Sequence, residues 1–174
     1  MRFFALLMIC LIASCSQNSE SEQKDIAETT SKAIVVDSNN IITDQKRLKE
    51  EFEAQRYFIW EIDFDNKTIT KNHDFNDMNL SIDSIIKGLN MRYGNITLKK
   101  INFSNDTLYT RIFDSQHLTE GMGSTGAAYY FAEAIINLTT VPGINFVKVD
   151  FIEGSHASPG IFSRKNYLDF KVVE

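Results

Sequence analysis

The sequence predicts an α+β fold: a small sheet with helices packed on one face, preceded by a charged helix. Three observations carry that expectation. Apolar and polar residues alternate from Tyr57 to Phe64, the period of a half-buried strand. Two later segments put apolar residues on one helical stripe, at Ile82, Ile85, Ile86 and Leu89, and again at Ala127, Phe131, Ile135 and Leu138. Three further strand-like runs follow in the order strand, helix, strand, strand, helix, strand, which suits an α+β sandwich.

At the N-terminus, Arg2 is the only charge before an apolar run from Phe3 to Ala13, closed by Ser14-Cys15. A charged start, a short apolar stretch and small residues at a cut site make a secretory leader over 1–14. The run is far shorter than the roughly 20 residues that span a bilayer. A cysteine directly after Ile12-Ala13-Ser14 resembles the lipobox of bacterial lipoproteins. That resemblance implies cleavage before Cys15 and lipidation of its thiol and new amino terminus. The thiolate is the one side-chain nucleophile here able to take a diacylglyceryl group. The expected address is therefore the bacterial cell envelope, on either membrane or at the surface.

Residues 15–42 read as the lipidated cysteine and a flexible tether. Ser16 to Lys32 is rich in Ser, Glu, Gln and Thr and has too little apolar surface to offset its ordering entropy. Two short apolar runs around Asp37-Ser38-Asn39-Asn40 leave Ala33 to Ile42 ambiguous. Residues 43–56 read as a charged helix with Thr43 as N-cap and only Leu48 and Phe52 apolar at i, i+4 spacing.

The α+β domain occupies 57–174. Its first strand passes through the turn Asp65-Asn66-Lys67 to a short return at Thr68-Ile69-Thr70. Ser81 caps the first striped helix, which Gly94-Asn95 ends. Ile96 to Phe103 and Leu108 to Ile112 then form a hairpin around Ser104-Asn105-Asp106. A loop from Asp114 to Gly123 leads to the second helix, Ser124 to Thr139, which Pro142 stops. Ile144 to Ile152 reads as a strand, Glu153 to Gly160 as a loop, and Tyr167 to Val173 as an added edge strand.

This order resembles the GerMN (sporulation and spore germination) domain family from about Tyr57 to Gly154. The residues that carry the likeness are Tyr57-Phe58, a helix ending Ile86-Lys87-Gly88-Leu89, and Asp106-Thr107-Leu108-Tyr109 opening the hairpin's second strand. They continue with Asn137-Leu138-Thr139, Pro142-Gly143-Ile144 and Val147, and close on Glu153-Gly154. The resemblance implies a small extracytoplasmic module attached to a lipid anchor, used for assembly and not for catalysis.

Composition narrows the function classes. Removing 1–14 takes only Arg2 from the 18 basic residues and leaves all 23 acidic ones, a net charge of −6. Such a chain neutralises phosphates poorly, so no nucleic-acid partner is expected. No run of lysines suggests attraction to anionic lipid, which leaves the acyl chains to hold the membrane. Cys10 leaves with the leader, so no thiol remains for disulfides, zinc or catalysis. Asn95-Ile96-Thr97 and Asn137-Leu138-Thr139 read as by-products of an asparagine-rich composition, not glycan sites.

Gly121-Met122-Gly123-Ser124-Thr125-Gly126 spells G-x-G-x-x-G at a helix start, with Asp150 further on. It lacks the preceding βαβ strand that dinucleotide binding requires, so it reads as close helix packing by Gly126 with Ser124 as cap. An interaction or small-anion site at Gly121, Gly123, Ser124, Gly126 and His156 is the remaining candidate. His73 with Asp74 and Asp77, and His117 with Asp114, would meet a metal only if loops converged; no metal, cofactor or catalytic residue is expected. Ser155, His156 and Ser158 do not make a nucleophile–base pair by adjacency. Half of Tyr57, Phe58, Trp60 and Phe64 would face outward, though core filling explains them best. The expected role is a non-catalytic interaction or assembly module, binding an envelope protein or polymer, with self-association as a further expectation. The alternative is an envelope hydrolase acting on glycan or peptide through His117, His156 and nearby acids.

Overall fold

The chain folds as α+β, but its strands divide between two sheets instead of forming one. The computed structural model describes residues 38–173; the leader, Cys15 and the tether up to residue 37 lie outside them. In order come α1 (Ser38–Gln55), β1 (Trp60–Asp63), β2 (Thr68–Lys71), α2 (Ile82–Arg92), β3 (Leu98–Ser104) and β4 (Thr107–Ile112). Then follow α3 (Gly123–Leu138), β5 (Phe146–Asp150), β6 (Gly160–Phe162) and β7 (Lys171–Val173), with short helical turns at Asp77–Asn79, His117–Gly121 and Arg164–Tyr167. One sheet has the order β1-β2-β7 and the other β3-β4-β5-β6.

Helix α3 explains the division. From Tyr130 to Leu138 every residue is buried, so this part of the helix has no solvent face. Ala127, Phe131, Ile135 and Leu138 join the larger core with α2 and the four-stranded sheet. Ala132 and Ile136 join a second cluster with Ile62, Ile69 and Phe170, beneath the three-stranded sheet. The apolar stripe at Ala127, Phe131, Ile135 and Leu138 predicts only one buried face. The second stripe is hidden because polar Glu133 and Asn137 interrupt it, and both are fully buried.

Tertiary partners reach both residues, although Glu133 Oε2 is buried without a hydrogen-bond partner. Asn137 Oδ1 accepts from the backbone N–H groups of Ile59 and Trp60, both at 2.9 Å. Its Nδ2 donates to Trp60 O at 3.1 Å and to Glu133 O at 3.0 Å. The amide thus pairs the outer edge of β1, which β2 does not reach. Glu133 accepts from Arg92 at the end of α2, and burial raises its carboxyl pKa, opposed chiefly by the Arg92 charge.

Helix α1 begins at Ser38, so Thr43 lies inside it and residues 38–42 belong to the helix, not to the tether. Extending an existing helix is cheap compared with nucleating one, so α1 runs back past Thr43. Its charged face carries i, i+4 pairs such as Lys46–Glu50 at 3.8 Å and Lys49–Glu53 at 3.9 Å. Leu48 and Phe52 stay exposed, and fully buried Ala54 makes the attachment instead. Gly88 lets α2 close on this junction, since a Cβ there would stand 2.6 Å from Tyr57 Cβ. Asn72 ties the same corner by donating to Gln55 O and Phe58 O at 2.8 and 2.9 Å.

The first strand is shorter than the alternation from Tyr57 to Phe64 predicts, running only from Trp60 to Asp63 after a turn at Arg56-Tyr57, while other local signals hold. Ser81 Oγ accepts from Ser84 N at 3.1 Å and caps α2. The β3–β4 hairpin turns on Asn105 and Asp106, at φ 49° and 65°, a type I′ geometry that matches strand twist. A bulge at Ile101 shifts the register between Lys100 and Asn102. Strand β7 does form at the C-terminus, but it pairs parallel to β2.

Candidate functional site

Two grooves flank the start of α3. A helical turn at His117–Gly121 leads into that start, and Gly123 at φ 72° allows the change of direction between the two. Met122 precedes the helix and supplies no side-chain cap, so Ser124 is not the cap that the sequence suggested. Ser124 lies in the first turn, where its Oγ stands 3.1 Å from His156 Nδ1. His156 is held from the other side, its backbone N–H donating to Thr119 O at 3.0 Å.

The loop that carries His156 sits where it does because Gly154 has no side chain. A Cβ there would come within 2.4 Å of Glu120 Oε1 and 2.6 Å of Thr119 Cβ. Ser155 completes the seam, donating its N–H to Glu120 Oε1 at 3.0 Å and its hydroxyl to Oε2 at 2.9 Å. Those two bonds, with a smaller effect from His156, hold the Glu120 carboxyl below the usual range. Both Glu120 oxygens thus accept from Ser155, while the His156 ring is met by Ser124 Oγ.

Ser124 and His156 open into a groove of about 360 Å³ between the two sheets. Its walls are aromatic. Phe131 stacks on Phe162 at 4.9 Å between centroids, and Phe64 meets Phe170 at 5.7 Å. Tyr167 stands edge-on to Phe170 at 5.8 Å, its hydroxyl pKa pushed up by burial. Lys67 closes one end, its Nζ 3.6 Å from the Phe64 ring centre and 3.9 Å from Asp169. Apolar walls with a few convergent polar groups are the usual form of a binding site.

The second groove, about 720 Å³, is polar and lined by Asp114, Gln116, His117, Glu120 and Gly121 together with Gly94, Asn95 and Thr97. One histidine and two acids do gather here. Asp114 Oδ1 accepts from Gln116 N at 3.2 Å, while the His117 ring covers Gly121. Among the described residues, no three His, Cys, Asp or Glu side chains are placed to hold a metal ion.

The anticipated five-residue site is thus split. Ser124 and His156 meet across 32 residues, Gly121 belongs to the polar groove, and Gly123 and Gly126 line neither. Gly126 does not ease packing on a sheet either, since a Cβ there would meet the Met122 side chain at 3.2 Å. Phe64, Lys67, Phe131, Phe162, Tyr167 and Phe170 went unrecognised as site residues. They come from separate elements, and only the outward half of the Tyr57–Phe64 aromatics hinted at them. Comparison with family models, curated proteins and solved structures finds no match to this chain.

Proposed function

We propose that the chain is a lipid-anchored bacterial envelope module, tethered at Cys15, that binds a partner without performing bond chemistry. Its likeness to the GerMN domain family supports that reading, as does the leader with its cysteine at the cut site. The observation that carries it is the aromatic groove at the start of α3, with Lys67, Ser124 and His156 at its rim. It suits a ring or apolar side chain projecting from an envelope protein or polymer, with polar groups fixing its orientation. Lys67→Glu should abolish association while leaving the fold intact, because Lys67 lies at the groove end and not in the core. Site-specific cross-linking in cells from Asn166, at the groove rim, reads the result; an unchanged adduct in Lys67→Glu would refute the groove assignment. For the anchor, Cys15→Ser should leave the protein unlipidated. Equal partitioning of variant and wild type in detergent phase separation would overturn that part.

One contact favours the hydrolase alternative. Ser124 Oγ and His156 Nδ1 at 3.1 Å are within nucleophile–base range. The two readings part on a serine-directed fluorophosphonate probe: it should label Ser124, and lose that labelling in His156→Ala, if the pair performs acyl transfer, and leave the chain unlabelled if the groove only binds.

A further inference from the structure

On the outer face of the four-stranded sheet, strand pairing gathers residues that are dispersed in the chain. Asn102, Tyr109, Lys148 and Ile161 share one row, and Lys99, Arg111 and Asp150 the next. Phe113 and Ile152 continue the face just beyond β4 and β5. Ile161, Phe113 and Ile152 are 61%, 60% and 78% exposed, so no described element covers them. Isolated exposed apolar residues are ordinary, but several on one flat face mark a contact surface.

The charge on this face runs against that of the chain. It carries Lys99, Lys148 and Arg111 against the single carboxylate of Asp150, whereas the whole protein is at −5. Arg111 Nε already donates to Asp150 Oδ2 at 2.7 Å, leaving Lys99 and Lys148 as the excess. Lys99 Nζ lies 5.4 Å from the Phe113 ring centre and Lys148 Nζ 6.0 Å from that of Tyr109, so cations and apolar groups alternate at short range. Asp106 lies in the hairpin turn, and although Asp114 and Glu153 directly follow Phe113 and Ile152, Asp114 lines the polar groove and Glu153 accepts from Ser158 Oγ.

We infer that this open sheet face is a docking surface for an anionic lipid bilayer. Exposed isoleucines and a phenylalanine match the acyl boundary, while flanking lysines match acidic headgroups. A sugar polymer would gain little from the isoleucines, which offer no ring to stack. A second copy of the same face would bring like charges together. Each cation near an acidic membrane adds about fivefold to partitioning at low salt. No lysine run marks this face in the chain, because its cations lie on three different strands.

The test uses the full chain in vesicles containing brominated lipid, with Phe113→Trp as depth probe and Met78→Trp, exposed on the turn before α2, as control. Because the readout is contact at one face, it is independent of how the N-terminus is held and of what the groove binds. Expected is at least twofold stronger quenching of Phe113→Trp in phosphatidylglycerol-rich vesicles than in phosphatidylcholine ones. Adding Lys99→Glu with Lys148→Glu, or 0.5 M salt, should abolish that difference. Equal quenching at Phe113→Trp and Met78→Trp would overturn the inference. So would a response of Phe113→Trp to soluble dextran sulfate without lipid quenching, which would assign the face to an acidic polymer. Concentration-dependent dimerisation lost in the double charge variant, without lipid quenching, would overturn it in favour of a second copy.

Discussion

Asn137→Leu isolates what holds β1 to the central helix. The substitution keeps the side-chain shape and removes three hydrogen bonds to β1: those from Ile59 N and Trp60 N, and that to Trp60 O. Each is worth about 1 kcal/mol net, and an orphaned buried donor costs about 1–3 kcal/mol. Ile59 is buried, so its N–H has no access to water, whereas half-buried Trp60 can be partly rehydrated. The expected loss is about 3–4 kcal/mol, a large share of the roughly 5–15 kcal/mol typical of a domain. In melting temperature that is about 10 °C, at roughly 2–4 °C per kcal/mol for a chain of this size. Urea unfolding followed by far-ultraviolet circular dichroism measures it, with fluorescence of Trp60, the only tryptophan, reporting on the site itself. A loss under about 1 kcal/mol would refute the view that this amide serves as β1's edge partner. Asn137→Asp provides a signed control. Burial would raise the new carboxyl's pKa above its unfolded value, so stability would be retained below about pH 4 and lost as pH rises through the folded pKa.

Further outcomes follow from the buried ion pair and the glycine contacts. Arg92→Met should cost about 3–5 kcal/mol at pH 7 by leaving Glu133 charged and unpaired. Because burial already raises the Glu133 pKa, that deficit should shrink on acidification toward the unfolded value near pH 4.5. Adding Glu133→Gln should recover part of it at pH 7, and a pH-independent deficit would exclude this explanation. Gly88→Ala should push α1 off α2 at about 1–3 kcal/mol, seen as faster amide exchange confined to α1 and its junction. Gly154→Ala should displace the loop bearing His156, breaking the Ser124 contact while leaving the core melt within a few degrees; loss of the Ser124-dependent shift of the His156 ring signals by NMR measures it.

Local chemistry was legible in the chain itself. The Ser81 cap, the stripe of α2, the Asn105-Asp106 turn with its two flanking strands, and the α+β class all depend on neighbours a few residues apart. What lay beyond reach depends on which distant segments meet. Asn137 and Glu133 look like breaks in an apolar stripe until β1 and Arg92 arrive to pair with them; only then does the C-terminal half of α3 become buried between two sheets. Ser124 and His156 are ordinary polar residues until the absence of a side chain at Gly154 lets their loops close. The cations of the sheet face are scattered in sequence and gathered by strand pairing. Short-range periodicity and turn geometry are written residue by residue, whereas burial and charge fields are sums over contacts that exist only once the chain has folded.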